Sequence, residues 1–421
     1  MATDVTSPAA LAAACSGAPS PSASGRKAGW AQGAILVLAG FLPILAIVSL
    51  TPAVPTILDH FRAAGQIGAD ASLMVTLLVT APGLSIALLS PFAGMLVDRY
   101  GRRPLLVGAA LIYGAVGAAP YFLDSLKAII ASRLALGVAE AAILTIVNTL
   151  IGDYFTPAGR RWLLMVQGMA GPALASLVIA GSGALTAVGW NASFLIYLSA
   201  IPIFLGMYVY IFEPAGDAQA AARPQAPGAA TPFPWKAVVT FGAATLFASS
   251  LYYVFIVQGG LAFREVGVDN PADAGKYISL ASLAVPVGAL IFGVVGARGT
   301  ALQVLMFLGL LGAGLTGVGL AHDPTTMVAL LVIQQMGAGM TVPTLVAWAQ
   351  GVLPFEHRGR GMGVWSSCFF LGQFTSPMFV ALAKGAMGTG AVQPAFVVMG
   401  CIALAGAAVA AVLALKPRQR R

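Results

Sequence analysis

The chain has 421 residues, 59% of them hydrophobic and only 9% charged, with a net charge of +8 and a mean hydropathy of +0.90. Soluble domains carry about 25% charged and roughly 45–50% apolar residues, so this chain has too little polar surface to cover a water-soluble globule. An ordinary cytosolic enzyme, a disordered protein and a nucleic-acid-binding module are excluded, and a polytopic helical membrane protein remains.

Residues 1–29 are rich in Ala, Ser, Pro and Gly and read as a disordered cytoplasmic tail, with no charged segment leading into an apolar core as in a secretory signal. Continuous apolar segments follow near 33–57, 72–96, 104–122, 127–150, 162–186, 192–212, 235–261, 275–297, 301–320, 325–350, 361–384 and 391–415. Their length of about 20 residues is that of a membrane-spanning helix, whereas a β-barrel would show short alternating segments. The expected fold is therefore all-α, with twelve transmembrane helices. An even number places both termini on one side.

The basic residues choose the side. With both termini in the cytoplasm, the opposite side holds only Arg62, Lys127, Arg264, Lys276 and Lys384; Arg133 lies within a span, and the other Lys and Arg residues are cytoplasmic. That asymmetry is the positive-inside bias, and it explains the net charge without a nucleic-acid partner. Residues 213–234 (EPAGDAQAAARPQAPGAATPFP) form a flexible cytoplasmic linker between a six-span unit at 30–212 and another at 235–416, with a basic tail at 417–421. The units echo each other at an offset near 200: Gly94 with Gly293, Gly137 with Gly337, and Gly-Arg-Arg at 159–161 with Arg-Gly-Arg at 358–360. A tandem repeat of this kind is a transporter architecture with its solute site near the bilayer midplane.

The loop after span two reads GMLVDRYGRRPLL, from Gly94 to Leu106. Gly94 lets helices approach, Gly101 permits a tight turn, and Asp98 can pair with a nearby arginine or cap a helix, while Arg99, Arg102 and Arg103 anchor the loop. The pattern Gly-x-Leu-x-Asp-Arg-x-Gly-Arg-Arg resembles the signature loop of the major facilitator superfamily, and the spans, linker and repeat extend the resemblance over the whole chain. It implies two pseudo-symmetric six-helix bundles and a latch on the cytoplasmic side, made by Asp98 with Arg102 or a basic residue of a neighbouring helix. The second-half copy, GVVGARGT, lacks the Asp, so the latch is asymmetric.

Span four carries Arg133 and Glu140, seven residues apart and therefore on one helical face, about 10 Å apart in rise. Ionisable groups at membrane depth are costly and functional by default. Arg133 and Gly137 resemble the superfamily's Arg-x-x-x-Gly motif, which implies proton coupling. Glu140 resembles the acid of a Gly-x-x-Glu-Ala variant found in organic-anion symporters and Spinster-like lipid transporters. A desolvated carboxyl there can load a proton, and Arg133 opposes this by favouring the charged form. In span five, Gly171 and Pro172 permit a bend and resemble the Gly-Pro hinge motif of antiporters, although Gln167, Ala175 and Ser176 replace its other glycines. GWNASF, from Gly189 to Phe194, resembles the span-six entry of drug antiporters with Asn191 in place of Arg; Trp190 is an interfacial anchor.

Solute-contact candidates in the second half are Tyr252, Tyr253, Gln258, Gln334, Gln335, Trp348, Trp365 and Gln373, because polar and aromatic side chains within spans either pair or line water. Such a pocket suits a small, largely apolar organic compound. The three cysteines are scattered, and His60, His322 and His357 fall in or near loops, so neither a disulfide framework nor a metal site is expected. No nucleotide-binding loop or catalytic constellation is present, so neither an enzyme nor an ATP-driven pump is expected, and no cofactor. The expected protein is a monomeric secondary transporter of a bacterial inner membrane. It works by proton-coupled efflux or, as the alternative, by proton symport of an organic anion such as an aromatic carboxylate held by Arg133. A non-transporting sensor on the same scaffold is the reading from another class.

Overall fold

A computed structural model describes residues 28–66, 71–155, 157–213, 232–295, 299–353 and 357–415. The expected tails, apart from Ala28 and Gly29, and most of the 213–234 linker lie outside these residues. The first half contains α1 (Trp30–Val48), α2 (Val54–Ala63), α3 (Ala71–Tyr100), α4 (Arg102–Ala118), α5 (Leu126–Tyr154), α6 (Pro157–Val188) and α7 (Ala200–Tyr210). The second contains α8 (Trp235–Glu265), α9 (Pro271–Ser282), α10 (Val285–Val295), α11 (Thr300–Leu320), α12 (Pro324–Val352), α13 (Arg358–Met387) and α14 (Gln393–Leu415). No strand occurs among the described residues.

Among the described residues, eleven helical stretches are long and apolar enough to cross a membrane, and the 30-residue α3 holds a shorter apolar stretch, Leu77–Ser90. Three expected spans are not single helices. Span one divides into α1 and α2 because Pro52 and Pro55 follow each other closely. Neither has an N–H, and the chain crosses the break through short-range bonds from Thr51 N to Val48 O and from Ala53 N to Leu50 O. Span eight divides into α9 and α10 just before Pro286. Span six begins as an eight-residue 3₁₀ helix, Ala192–Ser199, before becoming α7. Conversely, α6 runs unbroken through Pro172.

Close helix approach depends on missing side chains. A Cβ on Gly137 of α5 would stand 2.4 Å from the carbonyl oxygen of Pro82 on α3, and Ser85 hydroxyl donates to Leu134 O at 2.9 Å beside it. The glycines that echo each other do not make equivalent contacts: Gly137 packs on α3, but Gly337 packs on α11.

The halves meet along three seams. On one, α6 lies against α9, where Ser279 hydroxyl donates to Ser176 O at 2.7 Å and Gly183 faces Pro271 and Gly275. On another, Thr51 hydroxyl donates to Ile256 O at 2.7 Å, with Asp59 of α2 ion-paired to Arg264 of α8 further along. On the third, α3 meets α13 where Gln373 fills the space beside Gly83. The first two lie toward the side opposite the chain ends, and the third at mid-depth.

Two carboxylates hold helix starts. Glu213 accepts from the backbone N–H of Arg102 and Arg103, both at 2.8 Å, at the start of α4. Glu265 accepts from Val392 N at 2.6 Å and Gln393 N at 2.9 Å at the start of α14. Each satisfies two N–H groups that a helix start leaves open and meets the positive end of the helix dipole. Replacing Glu265 with Ala is expected to cost about 1 kcal/mol, the usual worth of such a cap. The check is a lowered midpoint in thermal unfolding of the purified protein in detergent, with Glu265→Gln retaining part of the loss; an unchanged midpoint in both variants contradicts the cap.

Candidate functional site

Arg133 is fully buried, and its surroundings follow from local backbone geometry. With three residues per turn, a 3₁₀ helix stacks residues i and i+3 directly above one another. Phe194 and Tyr197 therefore point the same way, and the Arg133 guanidinium lies over both rings, 5.1 and 4.8 Å from their centroids. Its Nη2 donates at 2.8 Å to the carbonyl of Gly117, in the last turn of α4, where carbonyls lack helical partners. A Cβ on Gly117 would collide with the Tyr197 ring, so that glycine is what lets the cage close. Nε and Nη1 have no hydrogen-bond partner. Tyr197 is fixed in turn by donating to Ala46 O of α1 at 3.0 Å, and Tyr113 by donating to Leu42 O at 2.6 Å.

Glu140 stands fourteen residues from either end of α5, at its midpoint. It is also fully buried, and neither carboxyl oxygen has a hydrogen-bond partner. The two charged residues share one helix face, as the seven-residue spacing predicts, but they form no direct bridge. Arg133 turns into the first half, whereas Glu140 lies within electrostatic reach of Tyr113 and Tyr197 in the first half and Tyr253 in the second.

The aromatic candidates of the second half do gather. Tyr252 and Tyr253 pack edge to face, with centroids 4.9 Å apart, and both contact the Phe369 ring, which stacks on Trp365 at 5.2 Å and 14°. Gln373 is fully buried at the α3–α13 seam, and both its amide atoms lack partners. The backbone and Cβ of Gln334 pack against Gly314 of α11, and its buried Oε1 has no hydrogen-bond partner. Gln258 and Gln335 are buried, and Trp348 is half-buried on α12. Gly171 has only Ile44 Cδ1 near its missing Cβ, at 3.8 Å, so tight packing does not explain it. Phe369 carries no local signal that separates it from the adjoining Phe370, although it stands four residues after Trp365 and four before Gln373.

The latch expected of Asp98 in the signature loop falls outside the described side chains. The side chains of Gly94, Asp98 and Arg99 lie outside what is described. Gly101 has φ of +83°, a left-handed value that favours glycine. Arg102 is ion-paired at 3.0 Å to Asp153 at the end of α5, and Arg103 donates to Tyr208 O at 2.9 Å. Two acids outside the motif, Asp153 and Glu213, each just past an expected span, thus engage Arg102 and Arg103. His60 is also not a loop residue: it lies in α2 and stacks on Trp190 with centroids 4.1 Å apart, and Asn191 donates to Tyr121 O at 2.8 Å nearby.

A family model of the Major Facilitator Superfamily matches residues 36–302 and 269–421. The chain belongs to the major facilitator superfamily. Its family and its apolar helices make it a multi-pass membrane protein. Among curated relatives, it is 28% identical over 262 residues to the efflux pump dotC of Dothistroma septosporum, covering 62% of this chain and 39% of that protein. It is 32% identical over 197 residues to the multidrug efflux pump LfrA of Mycolicibacterium smegmatis, covering 46% of this chain and 36% of the other. The chain thus spans well under two thirds of the length of these relatives. Among solved structures, a D-xylose-proton symporter superposes with a TM-score of 0.71 over 92% of this chain and 97% of the other, at 13% identity, a likeness of fold.

In this superfamily member the cage makes Arg133 irreplaceable by another cation. A planar guanidinium stacks on rings and still donates in its own plane, whereas a lysine ammonium is a strongly hydrated point charge. Arg133→Lys is expected to destabilise the protein by about 2 kcal/mol or more, the worth of a desolvated cation–π contact. A drop in the thermal midpoint in detergent, repeated by Phe194→Leu, checks this; wild-type midpoints in both variants contradict it.

Proposed function

We propose that this superfamily member exports a small, largely apolar organic compound by alternating access, in exchange for protons. The observation that carries the reading is Glu140: an acid at the midpoint of α5, fully buried, with neither oxygen partnered. An ionised carboxylate without a partner at that depth costs several kcal/mol. The charge of Glu140 is therefore tied to what occupies the site. A proton neutralises it in one state, and solute or water compensates it in the other. Similarity to the efflux pumps dotC and LfrA supports the outward direction.

In this cycle Arg133 braces the cage between α4, α5 and the 3₁₀ start of span six. Gly171 and Pro172 supply the bend of α6. Gly94, Asp98, Arg99, Gly101, Arg102 and Arg103 control closure on the cytoplasmic side, with Asp153 and Glu213 as their acids. The protein acts as a monomer in a bacterial inner membrane, with both termini cytoplasmic, and the proton gradient supplies the energy without a cofactor. Anion symport would need Arg133 to face the solute carboxylate, and the ring cage around its guanidinium speaks against that.

The test uses purified protein in liposomes loaded with a pH-sensitive dye and a panel of lipophilic cations, neutral aromatics and aromatic carboxylates. The expected result is solute-driven proton movement in the antiport sense that disappears in Glu140→Gln, while that variant still exchanges solute for solute. Flux unchanged in the variant and insensitive to pH refutes proton coupling through Glu140. Co-directional movement of protons and a carboxylate refutes export in favour of uptake.

A further inference from the structure

Resting on the reading of Glu140 above, the second half carries a feature that the proton cycle does not use. Trp365, Phe369, Gln373 and Ser376 follow one another on α13 at intervals of four, four and three residues, so at 3.6 residues per turn they form one ridge. Three of the four bear polar atoms that are buried without a hydrogen-bond partner: Trp365 Nε1, both amide atoms of Gln373, and Ser376 Oγ. Gln373 and Ser376 have no exposed surface. Leaving such groups unpaired costs about 1–3 kcal/mol each, so a ridge holding three in a row is poised for a partner absent from this packing. The indole stacks on the phenyl ring, and Trp365 lies about 12 Å from Gln373 and about 16 Å from Ser376 along the helix rise.

The ridge is also placed at the seam. Gln373 fits beside Gly83 of α3, and the adjoining Pro82 meets Gly137 of α5, one turn from Glu140. The amide and the carboxyl therefore flank the same stretch of α3 from the two halves. Arg133, locked between its two rings, leaves Glu140 as the charge facing this region from α5.

We propose that the α13 ridge is the specificity-determining surface of the solute site, and that it selects a planar, multi-ring aromatic cation with hydrogen-bonding groups. The rings lie on Trp365 and Phe369. A heteroatom accepts from Trp365 Nε1–H, and a ring amine donates to the Gln373 amide oxygen or to Ser376 Oγ. The positive charge compensates Glu140 in place of a proton. A planar anion is rejected, because it meets the Glu140 charge with no free cation opposite.

Three probes separate the contributions. 9-Aminoacridine is a planar cation with an amine donor, N-methylacridinium is a planar cation without hydrogen-bond donors, and anthracene-9-carboxylate is a planar anion. Binding to the purified full-length protein in detergent is read by tryptophan quenching and by calorimetry. The expected order is 9-aminoacridine, then N-methylacridinium, with the anion not bound. Trp365→Phe keeps the ring stack and Gln373→Leu keeps the volume. Gln373→Leu is expected to weaken 9-aminoacridine about tenfold and to leave N-methylacridinium within about twofold, the worth of one hydrogen bond to a charged group. Trp365→Phe is read by calorimetry alone; because 9-aminoacridinium has no acceptor for the indole N–H, the variant is expected to leave both acridine cations within about twofold and to weaken a methoxy-substituted 9-aminoacridine, whose ether oxygen accepts. Retained N-methylacridinium binding shows that the variants fold, and Ser376→Ala gives a third, milder change. Equal loss of both cations, no loss of either in any variant, preferred binding of the anion, or no binding of any probe by wild type overturns the proposal. The proton reading is tested apart from this: Glu140→Gln abolishing coupled proton movement while the ridge variants leave cation affinities unchanged keeps coupling and removes the ridge, and the converse keeps the ridge and removes coupling.

Discussion

A charge buried inside a membrane protein must be compensated where it stands, because ε is low there. The first half is built around that requirement. Arg133 is met by two aromatic faces and one helix-end carbonyl rather than by an acid. To supply them, span six starts as a 3₁₀ helix that eclipses Phe194 and Tyr197, α4 ends so that the Gly117 carbonyl is free, and Gly117 itself makes room for the Tyr197 ring. Tyr197 and Tyr113 then tie the cage to the carbonyls of α1. Satisfying one guanidinium thus fixes the relative positions of α1, α4, α5 and the start of span six.

The consequence for Glu140 is that its nearest cation is already engaged. Had Arg133 bridged to it, the acid would be a permanent structural anion. With the guanidinium held over the rings, Glu140 keeps both oxygens without a hydrogen-bond partner. The opposite wall offers no compensating charge either; it offers aromatic faces, an amide and a hydroxyl. This division, with charge on one half and stacking and hydrogen-bonding surface on the other, makes the site complete only when both halves close on it, which is what an alternating-access cycle requires.

The same division explains where the halves touch. The seams of α6 with α9, and of α1 and α2 with α8, lie toward the side opposite the chain ends, where the Asp59–Arg264 pair also joins them. These contacts include small residues, single hydroxyl-to-carbonyl bonds and one ion pair. In lipid such bonds are worth about 1 kcal/mol or less each, so the seams can part during a cycle. The helix starts, by contrast, are pinned by bidentate carboxylates from neighbouring helices of the same half, at Glu213 and Glu265.

The sequence by itself determined the all-α membrane fold and the presence of two ionisable residues on one face of span four. Each follows from composition, continuous apolar length or i, i+7 spacing, which are properties of a chain segment on its own. It also put Tyr252, Tyr253, Trp365 and Gln373 among the candidates, since polar or aromatic groups within spans are costly anywhere. Only the tertiary structure decided which of these cooperate. Nothing local distinguishes Gln334, packed against α11, from Gln373, at the seam. Nothing in span four says that Arg133 meets rings from span six instead of Glu140. Asp153 and Glu213 carry no motif, and they matter only because the folded chain brings them beside the signature loop. Partner choice depends on helix rotation and on backbone departures such as the 3₁₀ start of span six, and these are set by packing among helices far apart in sequence, not by any one helix's own periodicity.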